Sequence, residues 1–200
     1  TALVPDWPEL LSLDQGRAQL TLNLAIPATA PWRVDLALDL DGLTGIQDRI
    51  AFTGLTGRLT GVVTAAALRL DLPNLSLREA NAGLTLGPLN LDAQYQSRLE
   101  APGTGTLSWR QAEAGLFGGR VWLEPGTLTL GKSSQTLPVH FEGLELAALL
   151  AAYPTEGLSG AGTLEGQLPV RLGAKGLTIR EGKVFARAPG GQLQFRSTGL

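Results

Sequence analysis

Few side chains in this sequence have the type and spacing for covalent chemistry, and their surroundings argue against each. Gly157-Leu158-Ser159-Gly160-Ala161 stops one residue short of a nucleophile elbow, with Ala161 where the closing glycine belongs. No strand-to-helix junction follows, and His140, the one histidine, precedes the serine, whereas that class of hydrolase places its histidine last. Gly103-Thr104-Gly105 and Gly160-Ala161-Gly162 each open a strand. A dinucleotide phosphate needs a helix N-terminus at that point, so both read as sheet bends. Asp35, Asp39 and Asp41 cluster, but carboxylates spaced by two along a strand usually serve solubility and edge protection rather than calcium. His140 alternates with Val139 and Phe141 and therefore points to the polar side. One histidine without cysteine supplies too few ligands for a transition metal. Asn74-Leu75-Ser76 matches a glycosylation sequon, a three-residue pattern common by chance. No catalytic residue, metal or cofactor is expected, and the chain is not expected to be an enzyme.

What remains is apolar, and it is organised. Leu20, Leu22, Leu24 and Ile26 form one alternating run, and Val34, Leu36, Leu38 and Leu40 the next. Leu68, Leu70 and Leu72 follow, then Leu84 with Leu86, Leu89 with Leu91, Leu128 with Leu130, and Leu168, Val170 and Leu172. Thr21, Asn23, Asp35, Asp39, Arg69, Asp71 and Arg171 stand between them. A period of two means strands with one apolar and one wet face. Leucine supplies about one residue in five, although Val, Ile and Tyr are better strand formers. Such enrichment suggests a flexible aliphatic lining.

The elements that carry these residues are short and regularly punctuated. Residues 1–16, with Pro5, Trp7 and Pro8, read as a lead-in loop with one helical turn. Strands are expected over 17–26, 32–41, 49–60, 66–73, 75–79 and 83–99, the last broken at Gly87-Pro88. They continue over 104–111, 119–124, 127–131, 136–142, 161–173 with a kink near Gly166, 177–180, 183–188 and 192–197. Asp41-Gly42, Pro73-Asn74, Pro102-Gly103, Pro125-Gly126, Glu181-Gly182 and Pro189-Gly190-Gly191 read as turns. Leu144 to Tyr153, rich in Ala and Leu and stopped by Pro154, is the one helix. The fold class is therefore all-β with one short helix. It is read as one continuous domain: a segment over 17–143, the helix at 144–153, and a second segment over 154–200.

Composition narrows the partners. Sixteen basic and eighteen acidic residues give a net charge of −2, with no basic stripe for nucleic acid or an anionic membrane surface. Cysteine is absent, which removes disulfides and thiol chemistry and suits an oxidising compartment. Methionine is absent and the chain opens at Thr1, so it reads as a piece of a longer protein whose signal or anchor lies outside it. No stretch approaches the roughly 18 apolar residues of a spanning helix.

Three architectures share this pattern. A closed sandwich, structural or adhesion-like and without lipid cargo, is the alternative reading, although its core would want more aromatic anchors. A membrane barrel would need aromatic girdles, and the chain has two tyrosines. An open antiparallel sheet curled into a taco-like hydrophobic groove needs neither, and burial of a lipid tail there contributes about 0.8 kcal/mol per methylene.

Particular residues point the same way. Val139-His140-Phe141-Glu142-Gly143-Leu144 through Leu150 leads into Gly160-Ala161-Gly162-Thr163-Leu164-Glu165-Gly166-Gln167-Leu168-Pro169-Val170. Ile179 to Val184 and Ala186-Arg187-Ala188-Pro189-Gly190-Gly191 follow. This succession resembles the C-terminal part of the YdbH family, best over 136–197 and more loosely over 32–131; that family is similar to TamB, YhdP and other AsmA-like proteins. The resemblance implies a periplasmic bridge of Gram-negative bacteria, anchored in the inner membrane by the rest of its chain. It implies phospholipid carried toward the outer membrane and a small outer-membrane lipoprotein, YnbE-like, adding strands near the C-terminus. The lining residues expected on this reading are Leu20, Leu22, Leu24, Leu36, Leu38, Leu40, Leu68, Leu70, Leu72, Leu84, Leu86, Leu128, Leu130, Val139, Phe141, Leu168, Val170 and Leu172.

Overall fold

Alternation along the chain becomes a succession of antiparallel strands in the computed structural model, which describes residues 11–195 apart from 82, 157, 174, 175 and 180. The long strands come first: β1 (Leu11–Ala25), β2 (Arg33–Gln47), β3 (Ile50–Thr64) and β4 (Ala67–Leu77). A small hairpin, β5 (Glu79–Asn81) and β6 (Thr85–Leu86), precedes β7 (Leu89–Arg98). Then come β8 (Thr106–Leu116), β9 (Gly119–Leu123), β10 (Gly126–Thr129) and β11 (Ser134–Glu145). Helix α1 (Leu146–Ala152) is followed by β12 (Leu158–Ala161), β13 (Thr163–Gly173), β14 (Gly176–Ile179), β15 (Lys183–Ala186) and β16 (Gln192–Phe195).

Fourteen of these strands form one sheet, ordered β1-β2-β3-β4-β7-β8-β9-β11-β13-β14, and every pairing is antiparallel. β9 and β10 together make one broken strand along β8, and β14 and β15 another along β13. β12 and β16 pair separately. The ends do not meet, so the sheet is open. No second sheet of comparable size faces it among the described residues, which removes the closed sandwich.

Several expectations are corrected. Strand β1 starts at Leu11, because Leu11-Ser12-Leu13 already pairs with Gly45-Ile46-Gln47; the loop expected through residue 16 is strand from 11 onward. The helical turn expected near residues 9–11 falls mostly outside the described residues. Asp41-Gly42 and Pro73-Asn74 are not chain reversals but irregularities inside β2 and β4. The helix begins at Leu146, two residues late, since Leu144 and Glu145 pair with Leu164 and Thr163 to finish β11. Phe117 (φ 46°) and Gly118 (φ 76°) form the tight β8–β9 turn, both at positive φ as a primed hairpin turn requires.

The irregularities line up. Register shifts fall between Gln15 and Arg17 on β1, Leu40 and Leu43 on β2, Thr56 and Thr60 on β3, and Leu72 and Leu75 on β4. The line continues at Asp92–Ala93 on β7 and at the β9–β10 break at Glu124-Pro125. Pro138 faces Pro169 across β11 and β13 near the same level, and the gap between β14 and β15 lies beside them. A bulge bends its strand and raises its local twist. A row of them crossing successive strands creases the whole sheet along a line perpendicular to the strands, which is how an open sheet acquires a trough.

Burial identifies the inside of the fold. Among the described residues six apolar ones are buried (Leu43, Ala93, Trp109, Ala114, Phe141 and Leu144), no polar or charged residue is, and no side chain is fully enclosed. All six share register rows with other apolar residues. Aromatic rings are buried by leaning on glycine. A Cβ on Gly166 would come 2.9 Å from the Phe141 ring, and one on Gly126 would come 3.0 Å from the Trp109 ring. The accessible surface is 13676 Å², against about 9,000 Å² for a compact protein of this mass.

Candidate functional site

In an antiparallel ladder, directly paired residues point to the same face, so register alone assembles the apolar surface. Leu22 pairs with Leu36, then the row runs through Gly61, Leu70, Tyr95 and Leu107 to Leu128. Leu20 pairs with Leu38 and Leu38 with Leu59, while Leu40 faces Ala18 and Gly57. Leu24 faces Val34, which faces Val63 and then Leu68. Nearer the crease, Leu72 pairs with Ala93 and Ala93 with Trp109.

Beyond the crease the rows resume. Leu75, Leu91, Ala112, Leu123, Val139 and Leu168 form one, and Leu77, Leu89, Ala114, Val121, Phe141, Gly166 and Val184 another. Val170 faces Leu137 and Ile179, and Leu172 faces Gln135. Leu86 faces Ala80, which faces Phe52.

Sixteen of the eighteen expected lining residues thus lie in strands, and the rows gather nearly all of them on one surface. Leu84 and Leu130 are the exceptions. Leu84 lies in the bend before β6, and Leu130 follows β10 in a turn where its N–H donates to the Gly105 carbonyl. The sequence reading missed Leu59, Tyr95, Leu107, Trp109, Ala112 and Ala114, which complete the rows. Their signal was the alternation in Leu107-Ser108-Trp109 and Ala112-Glu113-Ala114.

The rows contain few polar atoms, and most are occupied. The Trp109 indole N–H donates to the Glu124 carbonyl at 2.8 Å. The Tyr95 hydroxyl donates to the Pro102 carbonyl and accepts from the Gly105 N–H. The Gln135 amide donates to the Thr129 carbonyl and accepts from its N–H at 3.0 Å, so one side chain ties β10 to β11. Ser97, opposite Leu68, keeps its hydroxyl shielded and unpaired. The face is therefore predominantly apolar. It is most open at β1, where Leu20, Leu22 and Leu24 are 59, 59 and 64 % exposed.

The reverse face carries the charge. Arg33 grips Asp35, Arg58 lies 3.6 Å from Asp39, and Arg110 lies 2.9 Å from Asp92. Glu142 accepts from both Arg120 and Arg187 at 3.3 Å. Hydrogen bonds from Arg33, and then its charge, hold the Asp35 carboxyl below the ordinary range. Asp92 likewise raises Arg110. His140 stacks on Trp122 with ring centroids 5.4 Å apart, and the Arg120 guanidinium lies 4.7 Å from the Trp122 ring centre. Asp35 and Asp39, two of the clustered carboxylates, are each engaged by an arginine.

A continuous apolar surface of this kind fits what comparison with known proteins found. Neither a curated protein nor a solved structure matches the chain. A family model does, over residues 1–199, and its description is YdbH-like, intermembrane phospholipid transport protein YdbH. The match spans nearly the whole chain, and the chain belongs to the YdbH-like family.

Proposed function

We propose that this chain is part of a periplasmic bridge that conducts phospholipid between the inner and outer membranes, with its leucine face as the path. The observation that carries this reading is the continuity of the face: apolar rows pass from β1 to β15 on one side of an open sheet. Acyl chains lie on that face and head groups stay in water at the open mouth. Transport along such a surface breaks no covalent bond, so it needs no general acid, base or nucleophile.

The expected lining residues then act together, and no single one is essential. Leu36, Leu38 and Leu40 form the most regular half-buried stretch. Carboxylates in their place would strip a passing chain of its apolar contacts and set unpaired charge in its way. The triple variant L36D/L38D/L40D is expected to lose co-purifying phospholipid and lipid transfer in the full-length protein, while circular dichroism stays that of a β-protein. A folded triple variant that still moves lipid at the native rate would sink the proposal.

The same reading assigns partners. The outer edge of β14 and β15 carries no neighbour among the described residues, and strand addition by a small outer-membrane lipoprotein of the YnbE type would extend the sheet there. The remainder of the chain supplies the inner-membrane anchor. Crosslinking from Ile179 or Val184 to such a lipoprotein tests the first assignment. Absence of any adduct at both positions would remove it.

A further inference from the structure

The apolar face is not uniform, and one place on it has the shape of a seat. Strand β8 carries Ala112 and Ala114 where its neighbours carry large residues. Leu91 and Leu89 flank them on β7, and Leu123 and Val121 on β9. These residues, with Val139, line a shallow depression of about 200 Å³, also bordered by Asn90, Glu113 and Trp122, whose exposed surface is apolar. Backbones on either side of β8 lie roughly 10 Å apart, so large side chains from both leave a channel one hydrocarbon chain wide. Along β8 the next inward residue is Trp109, held by its bond to the Glu124 carbonyl and seated over Gly126. The channel therefore meets Trp109 at the crease. Its other end runs toward the β8–β9 turn, where Phe117, Gly118 and Ala152 of α1 line a separate open cavity.

Resting on the lipid-path reading above, we propose that the alanine channel on β8 is a holding site for one acyl chain of a phospholipid. The chain lies along the strand, with its end against Trp109 and its head group at the rim beside the β8–β9 turn. The rest of the face is a surface over which lipid slides, whereas this is a place where it stops. The occupant is argued from three points: the exposed lining is apolar, the spacing of the flanking strands suits a single chain, and the family model is described as phospholipid transport.

The test is photocrosslinking in the full-length protein in cells carrying radiolabelled phospholipid. A photoreactive residue is placed in turn at Leu91 in the channel wall, at Leu36 on the open face, and at Thr60 on the reverse side. Adducts are expected in the order Leu91, Leu36, Thr60. The double variant A112F/A114F is expected to reduce Leu91 adducts by about tenfold, the weight of two displaced methylenes, with Leu36 adducts retained. Leu91 adducts no stronger than those at Leu36 would overturn the holding site and leave the lipid path standing. This comparison needs no filled variant and decides the matter even if that variant does not fold. Adducts at neither Leu91 nor Leu36 above the Thr60 level would overturn the lipid path itself.

Discussion

Individual residues in this sheet hold their places by two means, glycine clearance and paired charge. Gly166 lies under the Phe141 ring, and the Lys183 carbonyl fills the space that a Cβ would need. Gly166→Ala must push a backbone strand away, and a loss of about 2 kcal/mol or more in urea unfolding is expected. Gln135 stands in for a missing stretch of ladder. Gln135→Leu removes both bonds to Thr129 and is expected to cost about 1–2 kcal/mol, with faster amide exchange confined to β10. Asp35 gives a pH signature. Its folded pKa lies below the ordinary carboxylate value because Arg33 bonds to the charged form. The stability it adds is present at neutral pH and is lost as pH falls through the folded value. NMR titration should find Asp35 below the ordinary range in the native chain and returned to it in Arg33→Gln.

At the scale of the element, bulges and turns use the same residues, and this explains what could be read in advance. The leucine alternation located most strands and which of their residues share a face, because a period of two has no other regular interpretation. Pro73-Asn74 and Asp41-Gly42 read as chain reversals, since residues that permit positive φ serve turns and bulges alike. Only the neighbouring strand's register tells the two apart. The alanine channel was invisible because alanine breaks a leucine count without breaking the alternation. The start of α1 was misplaced because Leu144 and Glu145 suit a helix locally while β13 offers them a ladder. The bulges make their own prediction. Gly42 has φ 61° and a Cβ there would meet nothing within 4 Å, whereas a Cβ on Gly16 (φ 103°) would meet the Leu43 backbone at 2.6 Å. Gly42→Ala should cost only the left-handed conformation, about 1 kcal/mol, and Gly16→Ala distinctly more. Equal losses in thermal unfolding would mean that the crease does not depend on this close approach.

Taken whole, the molecule buries less than its size allows. One curled layer leaves its apolar face uncovered, and a chain of 21.0 kDa exposes 13676 Å². Denaturant sensitivity scales with the surface uncovered on unfolding. The urea m-value should therefore fall about a fifth below that of a compact protein of equal length, and a normal value would argue for a closed core. Bound phospholipid should raise the midpoint, since a ligand taken up only by the folded form shifts the balance by mass action.

The order of the strands has a consequence for how such a molecule comes into being. Among the described residues, half of the fourteen pairings join consecutive strands, and the rest, apart from β12 with β16, skip only one or two strands. A polypeptide emerging end first can therefore lay down its sheet as it arrives, each new hairpin zipping onto a finished edge without waiting for a distant segment. Such local closure favours rapid assembly. It also makes length a matter of repetition, since every added hairpin extends the structure by roughly 10 Å without disturbing what is already built.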